Sequence, residues 1–239
     1  YRILSKNMDL FYLENIRDRV VIEGETYKHL RAHHIKTRDK IFFTNGKGLL
    51  ATGKIVECMK QKIIVDVLEV KTMPPRDNKA ILYTPILKQT ERLDWLVEKT
   101  VELGVSELIP IITERTIKTT IKLTRLQNII KYSSLQSLKF YFPHICEPIF
   151  FEEAIKNNIK MKRTICYCGT ELEKTQFFDF LQPKEDIGIF IGPEGDFTID
   201  EVNKAIYNGI IPVSLGKQRL RSETAAIVSL TIFAIKNNL

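Results

Sequence analysis

Residues 80–112 read AILYTPILKQTERLDWLVEKTVELGVSELIPII. Ala80–Leu87 has the texture of a strand. Thr90 is an N-cap candidate, and Glu91–Leu103 carries helical periodicity, with Leu93, Leu96/Val97, Thr100 and Leu103 on one face. Gly104 follows where a helix places its C′ glycine. Leu108–Ile112 is the next strand. A strand, a helix and a strand joined this tightly make a βαβ unit, and its strands must be parallel. The fold class expected is therefore α/β.

The same alternation continues to the end of the chain. Helices are expected over Leu123–Leu138 and Phe151–Asn157, and strands over Thr164–Cys168, Ile187–Ile191 and Ile210–Leu215. Thr198-Ile199-Asp200-Glu201 is a capping box that opens a helix closed by Gly209. The last helix, Ser222–Lys236, has no charge between Thr224 and Ile235. An uncharged helix is packed within its own domain, against another subunit, or both.

Upstream the texture differs. Ile41–Thr44, Leu49–Val56 and Lys62–Val70 are short strands, and Asn45-Gly46-Lys47-Gly48 has hairpin chemistry. Such spacing predicts a small β-barrel built of strands and turns. Pro74-Pro75 and the polar residues after them make a linker. The expected domains are thus residues 1–75 and 76–239.

The whole chain has 239 residues and a mass of 27.7 kDa, with 44% hydrophobic and 27% charged residues. At about 150 residues per domain, that is one or two domains with a real core. Its longest uncharged apolar stretch, Thr224–Ile235, is too short to span a bilayer. The opening stretch YRILSKNMDLFYL has no continuous apolar block, so a soluble, cytoplasmic protein without membrane partners is expected. The cysteines, at 58, 146, 166 and 168, form no C-x-x-C pair. Cys166 and Cys168 are expected on one face of a strand as reduced thiols. The histidines at 29, 33, 34 and 144 lack neighbours at ligand spacing, and no metal is expected.

Net charge is +7 and uneven. Residues 1–75 hold 14 Lys/Arg against 9 Asp/Glu, and the remainder 22 against 20. A basic N-terminal part points to a polyanion partner.

Three loops follow strands of the α/β part: Cys168-Gly169-Thr170, Gly192-Pro193-Glu194-Gly195-Asp196, and Gly216–Glu223. In open α/β sheets, ligands bind beyond the carboxyl ends of the strands. No dinucleotide fingerprint, P-loop or Ser-His-Asp arrangement stands out. Glu194 and Asp196 leave paired-carboxylate hydrolysis as a weak option. Backbone groups beside apolar residues suit a neutral aromatic base such as adenine.

IGPEGDFTIDE at 191–201, VSLGKQRLRSETAAIVSL at 213–230 and ELGVSELIPIITERT at 102–116 carry a resemblance. They are similar to the bacterial 16S ribosomal RNA uridine-N3 methyltransferases known as RsmE, of the SPOUT superfamily. The resemblance runs from the HL–NGKG region to the C-terminus. It implies a PUA-like β-barrel, then a SPOUT-type α/β domain with a C-terminal deep trefoil knot, usually as a homodimer. It also implies S-adenosylmethionine as cofactor and 16S rRNA of the small ribosomal subunit as partner. The cofactor positions carried over are Gly169, Ile191, Gly192, Pro193, Glu194, Gly195, Leu215, Gly216, Leu220 and Arg221.

Methyl transfer to uracil N3 requires alignment of the reactants and loss of the N3 proton. Arg221 is the expected contact for the developing uracil anion. Glu194 and Glu223 are candidates for orienting Arg221 or accepting the proton, and a local ion pair is an equal reading of Glu223. Arg115, Lys118, Lys122, Arg125 and Lys131 form a basic stretch expected to face RNA, with Arg31, Lys36, Arg38 and Lys40 as a second patch. Two positions depart from the family's pattern. Asp196 stands where a third glycine is usual. Leu135-Gln136-Ser137-Leu138-Lys139 replaces a motif ending in arginine, which puts the RNA contact by Lys139 in question. A non-enzymatic RNA-binding or ribosome-assembly factor is the competing reading, and the intact GPEG and LRSETAA motifs argue against it. A SPOUT enzyme acting on transfer RNA is the third reading, disfavoured by the barrel.

Overall fold

The computed structural model describes residues 9–33, 35–157 and 160–239. His34 and the opening stretch as far as residue 8 lie outside the described residues. The chain forms two compact units. One contains the described residues up to Pro75 together with Lys131–Phe142; the other contains those of 76–130 and 143–239.

In the first unit, β1 (Leu10–Tyr12), β2 (Arg19–Ile22), β3 (Lys40–Thr44), β4 (Leu49–Cys58) and β5 (Ile63–Thr72) form one sheet in the order β1-β3-β4-β5-β2. Only β1–β3 is a parallel pair. Register shifts at Thr52/Gly53 and Ile55/Glu57 interrupt the long β4–β5 ladder, as bulges that bend a strand do. Phe11, Ile22, Phe43, Ile55 and Val65 fill the core. The expectation of strands and turns alone misses helix α1 (Gly24–Ala32), which buries only Leu30. One buried residue in nine leaves no apolar period to read. A second cluster packs Leu10 and Leu50 against Leu135 and Phe140, so the segment 131–142 completes this unit's core.

In the second unit the elements are β6 (Ala80–Pro85), α2 (Thr90–Glu102), β7 (Glu107–Ile112), α3 (Leu123–Gln136, its last residues belonging to the first unit), β8 (His144–Ile145), β9 (Ile149–Phe150) and α4 (Phe151–Lys156). There follow β10 (Lys162–Cys166), β11 (Thr175–Gln176), α5 (Phe177–Phe180), β12 (Ile187–Ile191), α6 (Ile199–Tyr207), β13 (Ile211–Ser214) and α7 (Ser222–Lys236). Every pair in this sheet is parallel, in the order β11-β13-β10-β12-β6-β7-β8, with β9 also on β7. The central strands β6 and β12 are buried along their whole length, as strands covered on both faces must be. On one face Tyr83 and Phe190 stack with centroids 3.8 Å apart, among Phe151 of α4 and Val202 and Ala205 of α6. On β6 and β12 also lies α7, beside α2.

Two local expectations are corrected. Gln89, not Thr90, is the N-cap of α2, without a side-chain cap; the Thr90 hydroxyl instead accepts from Lys118 Nζ at 3.2 Å. β10 ends at Cys166, so buried Cys166 and exposed Cys168 do not share a strand face. Helix α7 has two faces within this chain. Ala226, Ser229, Leu230 and Phe233 are buried, whereas Ile227, Val228, Thr231 and Ile232 are partly open and Ile235 is exposed.

The α6 capping box forms in full: Thr198 Oγ1 accepts from Glu201 N at 3.2 Å, and Glu201 Oε2 accepts from Thr198 N at 2.9 Å. Glu201 is 3% exposed, and its other oxygen accepts from Glu114 N at 2.8 Å. We expect Thr198→Ala to cost about 1 kcal/mol in urea unfolding. Glu201→Ala should cost more, since it also strands the Glu114 N–H, a penalty of about 1–3 kcal/mol. Equal losses would show that the Glu114 contact contributes nothing.

Candidate functional site

Because β12, β10 and β13 are adjacent and parallel, their carboxyl ends at Ile191, Cys166 and Ser214 lie side by side. The three loops leaving them line one cleft of about 1120 Å³. Gly169, Ile191, Gly192, Pro193, Glu194, Gly195, Leu215, Gly216, Leu220 and Arg221 all border it. Reading the loops together thus places all ten residues around a single space.

The loop after β12 is held by its own backbone geometry. Gly195 has φ +102° and Asp196 has φ +66°. The second value is one that glycine adopts freely and that aspartate tolerates better than most residues. Asp196 also uses both carboxylate oxygens: Oδ1 accepts from Phe197 N and Oδ2 from Cys168 N, each at 2.8 Å. The position where a glycine is usual is therefore occupied by a residue that ties the β10 loop to the β12 loop. Space at Gly192 is tight, since a Cβ there would lie 2.8 Å from Asp196 Oδ1. Arg115 donates to the Gly195 carbonyl and so borders the cleft. Burial, helped by Asp196, pushes the thiols of Cys166 and Cys168 up, so both remain protonated at neutral pH.

The charged residues of the cleft are arranged around a side chain that sequence reasoning passed over. Arg92, in the first turn of α2, donates from Nε and Nη2 to the two Glu223 oxygens at 3.0 and 2.6 Å. Its Nη1 donates to Glu194 Oε1 at 3.1 Å. The hydrogen bonds that Arg92 donates to Glu223 push the pKa of its guanidinium up. Burial pushes the Glu223 carboxyl up, but the Arg92 hydrogen bonds, its own backbone N–H and the charges of Arg92 and Arg221 outweigh it and hold the group below the usual range. Glu223 is thus an anion locked to Arg92, and neither carboxylate hydrogen-bonds Arg221. The Arg221 side chain borders the cleft, exposed and without a hydrogen-bond partner among the described residues.

Several of the expected RNA-facing residues make contacts within their own unit. Lys118 is held by Thr90, and Arg125 donates to Asp94 Oδ2. Lys122 is exposed. Lys131 pairs with Glu25 at 3.0 Å within the first unit, to which Lys139 also belongs. Arg31, Lys36, Arg38 and Lys40 lie on or near α1 and β3 of that unit; Arg31 and Arg38 are exposed. Among the described residues, no three His, Cys, Asp or Glu side chains are grouped to hold a metal ion.

Comparison with known proteins gives the family. The family described as "RNA methyltransferase domain" matches residues 74–234. A ribosomal RNA small subunit methyltransferase E from Aquifex aeolicus is 29% identical over 241 residues, covering 94% of this chain and 98% of its own. The protein of the same name from Buchnera aphidicola is 25% identical over 228 residues, covering 92% of each. The crystal structure of a probable rRNA-methyltransferase from Porphyromonas gingivalis superposes with a TM-score of 0.87 at 34% identity, over 97% of this chain and 99% of the other. That of a ribosomal RNA small subunit methyltransferase E from Neisseria gonorrhoeae, bound to S-adenosyl methionine, gives 0.86 at 27%, over 96% and 98%. The match spans both units and most of the length of each relative, and the chain belongs to the RNA methyltransferase family, among the ribosomal RNA small subunit methyltransferase E proteins.

Proposed function

We propose that the protein transfers a methyl group from S-adenosylmethionine to N3 of a uridine in 16S rRNA of the small ribosomal subunit. The observation that carries the reading is the single cleft at three adjacent strand ends, with an unpaired arginine on its border. The residues fit the cofactor. The volume, about 1120 Å³, accommodates a ligand of that size. Ile191, Pro193, Leu215 and Leu220 supply apolar contact for an adenine ring, and the backbone around Gly192, Gly195 and Gly216 supplies polar edges. Bound S-adenosylmethionine supplies an electrophilic methyl on a sulfonium.

The chain's own residues must then orient the uracil and favour its anion. Arg221 is free to face the uracil oxygens, where negative charge develops as the N3 proton leaves. Glu194 and Glu223 support this indirectly, because both are committed to Arg92. The first unit is read as the PUA-like barrel, with Arg31, Lys36, Arg38 and Lys139 facing RNA, and in the second unit Arg115, Lys118, Lys122 and Arg125 are read as RNA contacts of their own. The C-terminal knot is part of the same reading: from β13 near one edge of the sheet the chain returns so that α7 packs on β6 and β12 at its centre. The half-open apolar face of α7 suits a second copy, and the working form is a cytoplasmic homodimer. No helix among the described residues is long and apolar enough to cross a membrane.

The direct test is incubation of small-subunit RNA with the protein and S-adenosylmethionine, followed by mass mapping. N3-methyluridine at one position is expected, and its absence would overturn the reading. Gly195→Val should weaken cofactor binding in calorimetry by at least about tenfold, because a branched residue is strained at φ +102° whatever the space. Unchanged affinity would remove this loop from the cofactor site. Arg221→Ala should slow single-turnover methylation at saturating cofactor roughly a hundred- to thousandfold, about 2.7–4 kcal/mol, with a smaller change in cofactor affinity. A defect confined to cofactor binding would make Arg221 a cofactor ligand alone. Sedimentation at micromolar concentration should show a dimer that Ile227→Asp with Thr231→Asp dissociates; a wild-type monomer would refute the assigned role of the α7 face.

A further inference from the structure

We propose that Arg92 is a positioning residue for methyl transfer, clamping the loop after β12 and the start of α7 into one arrangement through Glu194 and Glu223. The inference rests on the cleft being the S-adenosylmethionine site. Its basis is the way one guanidinium is shared. Nε and Nη2 face Glu223 as a fork, at 3.0 and 2.6 Å, and Nη1 reaches Glu194 at 3.1 Å. Three donors thus hold two carboxylates that come from different elements, while Arg92 itself is fixed on α2. Lysine could do this only in part: an ammonium is a point charge, without the planar fork that grips a carboxylate at two oxygens.

The surroundings make the clamp consequential. The Glu223 side chain is 10% exposed and that of Arg92 25%, so the pair is largely shielded from water. Glu223 is the second residue of α7, and Arg221 is that helix's N-cap. Where Glu223 is held therefore decides where Arg221 emerges and how the loop from Leu215 to Leu220 closes on the cleft. Glu194 lies in the middle of the other cofactor loop, between Pro193 and Gly195. Two loops that must meet the same ligand are thereby held in fixed separation by a side chain belonging to neither. The clamp engages Glu194 and Glu223, neither of which hydrogen-bonds Arg221.

The experiment compares Arg92→Ala, Arg92→Lys and the double variant Arg92→Ala with Glu223→Gln, each against wild type, in three measurements. These are thermal melting, calorimetric S-adenosylmethionine affinity, and single-turnover methylation at saturating cofactor. Arg92→Ala strands a buried carboxylate and should melt earlier. The double variant removes that charge and should recover most of the melting temperature. It should not recover function: cofactor affinity is expected to stay about tenfold weaker, and the rate roughly a hundredfold lower, as small misplacements at an active site cause. Arg92→Lys should rescue part of the rate. A double variant with wild-type affinity and rate would overturn the proposal and make Arg92 a stabilising contact only, as would wild-type behaviour of Arg92→Ala. Wild-type protein that binds no S-adenosylmethionine is a separate result, which would overturn the assignment of the cleft and this inference with it.

Discussion

Parallel pairing is the constraint from which the rest follows. Strands that run the same way must be joined by crossings, so every loop after a strand leaves from the same edge of the sheet. In the second unit this holds for β10, β12 and β13, which are neighbours in the order β13-β10-β12. Their three outgoing loops therefore meet without any long-range contact being needed to bring them together. What does need specific side chains is the spacing between the loops. Three carboxylates and one guanidinium fulfil that need: Asp196 joins the β10 and β12 loops, and Arg92 joins the β12 loop to α7 through Glu194 and Glu223.

The cleft divides its tasks by chemistry. Backbone at Gly192, Gly195 and Gly216 and apolar side chains of Ile191, Leu215 and Leu220 line it, and the Arg92–Glu194 ion pair borders the same space. Burial alone would discourage ionisation of Glu223, but Arg92 reverses that tendency, and the anion persists where it is least hydrated. The arrangement leaves Arg221, like Lys217 and Arg219 of the same loop, with no side-chain hydrogen-bond partner among the described residues. An arginine with a structural role gives its donors to carboxylates or carbonyls. Arg163 in the same unit is such a structural case, giving its donors to the carbonyls of Ile155, Asn157 and Asn208.

The parts of this molecule that could be read from sequence are those encoded over short distances. The βαβ unit, the Thr198–Glu201 capping box, the closing glycines Gly104 and Gly209 and the limits of α7 all depend on residues within a turn or two of each other. The three loops were legible because each follows an apolar strand and contains glycine or charge. Arg92 was not: its partners lie 102 and 131 positions away, and on α2 alone it looks like any solvent-facing arginine. The role of Asp196 was hidden for the reverse reason. It appeared as a departure from a glycine, and nothing local shows that its carboxylate reaches the Cys168 N–H 28 positions back. Helix α1 escaped because it buries a single leucine.

The segment Lys131–Phe142 bears on how such a protein can be inherited. Leu135 and Phe140 cover Leu10 and Leu50, so the first unit is built from two stretches of chain with some 55 residues of the other unit between them. A gene exchange that cut at the Pro74-Pro75 linker would transfer the sheet but leave behind the piece that seals one of its apolar clusters. The linker looks like a seam between modules, yet the two units are not separable cassettes. Recombination among relatives is expected to preserve residues up to about 142 as one block, and the fold to drift by point substitution more than by shuffling.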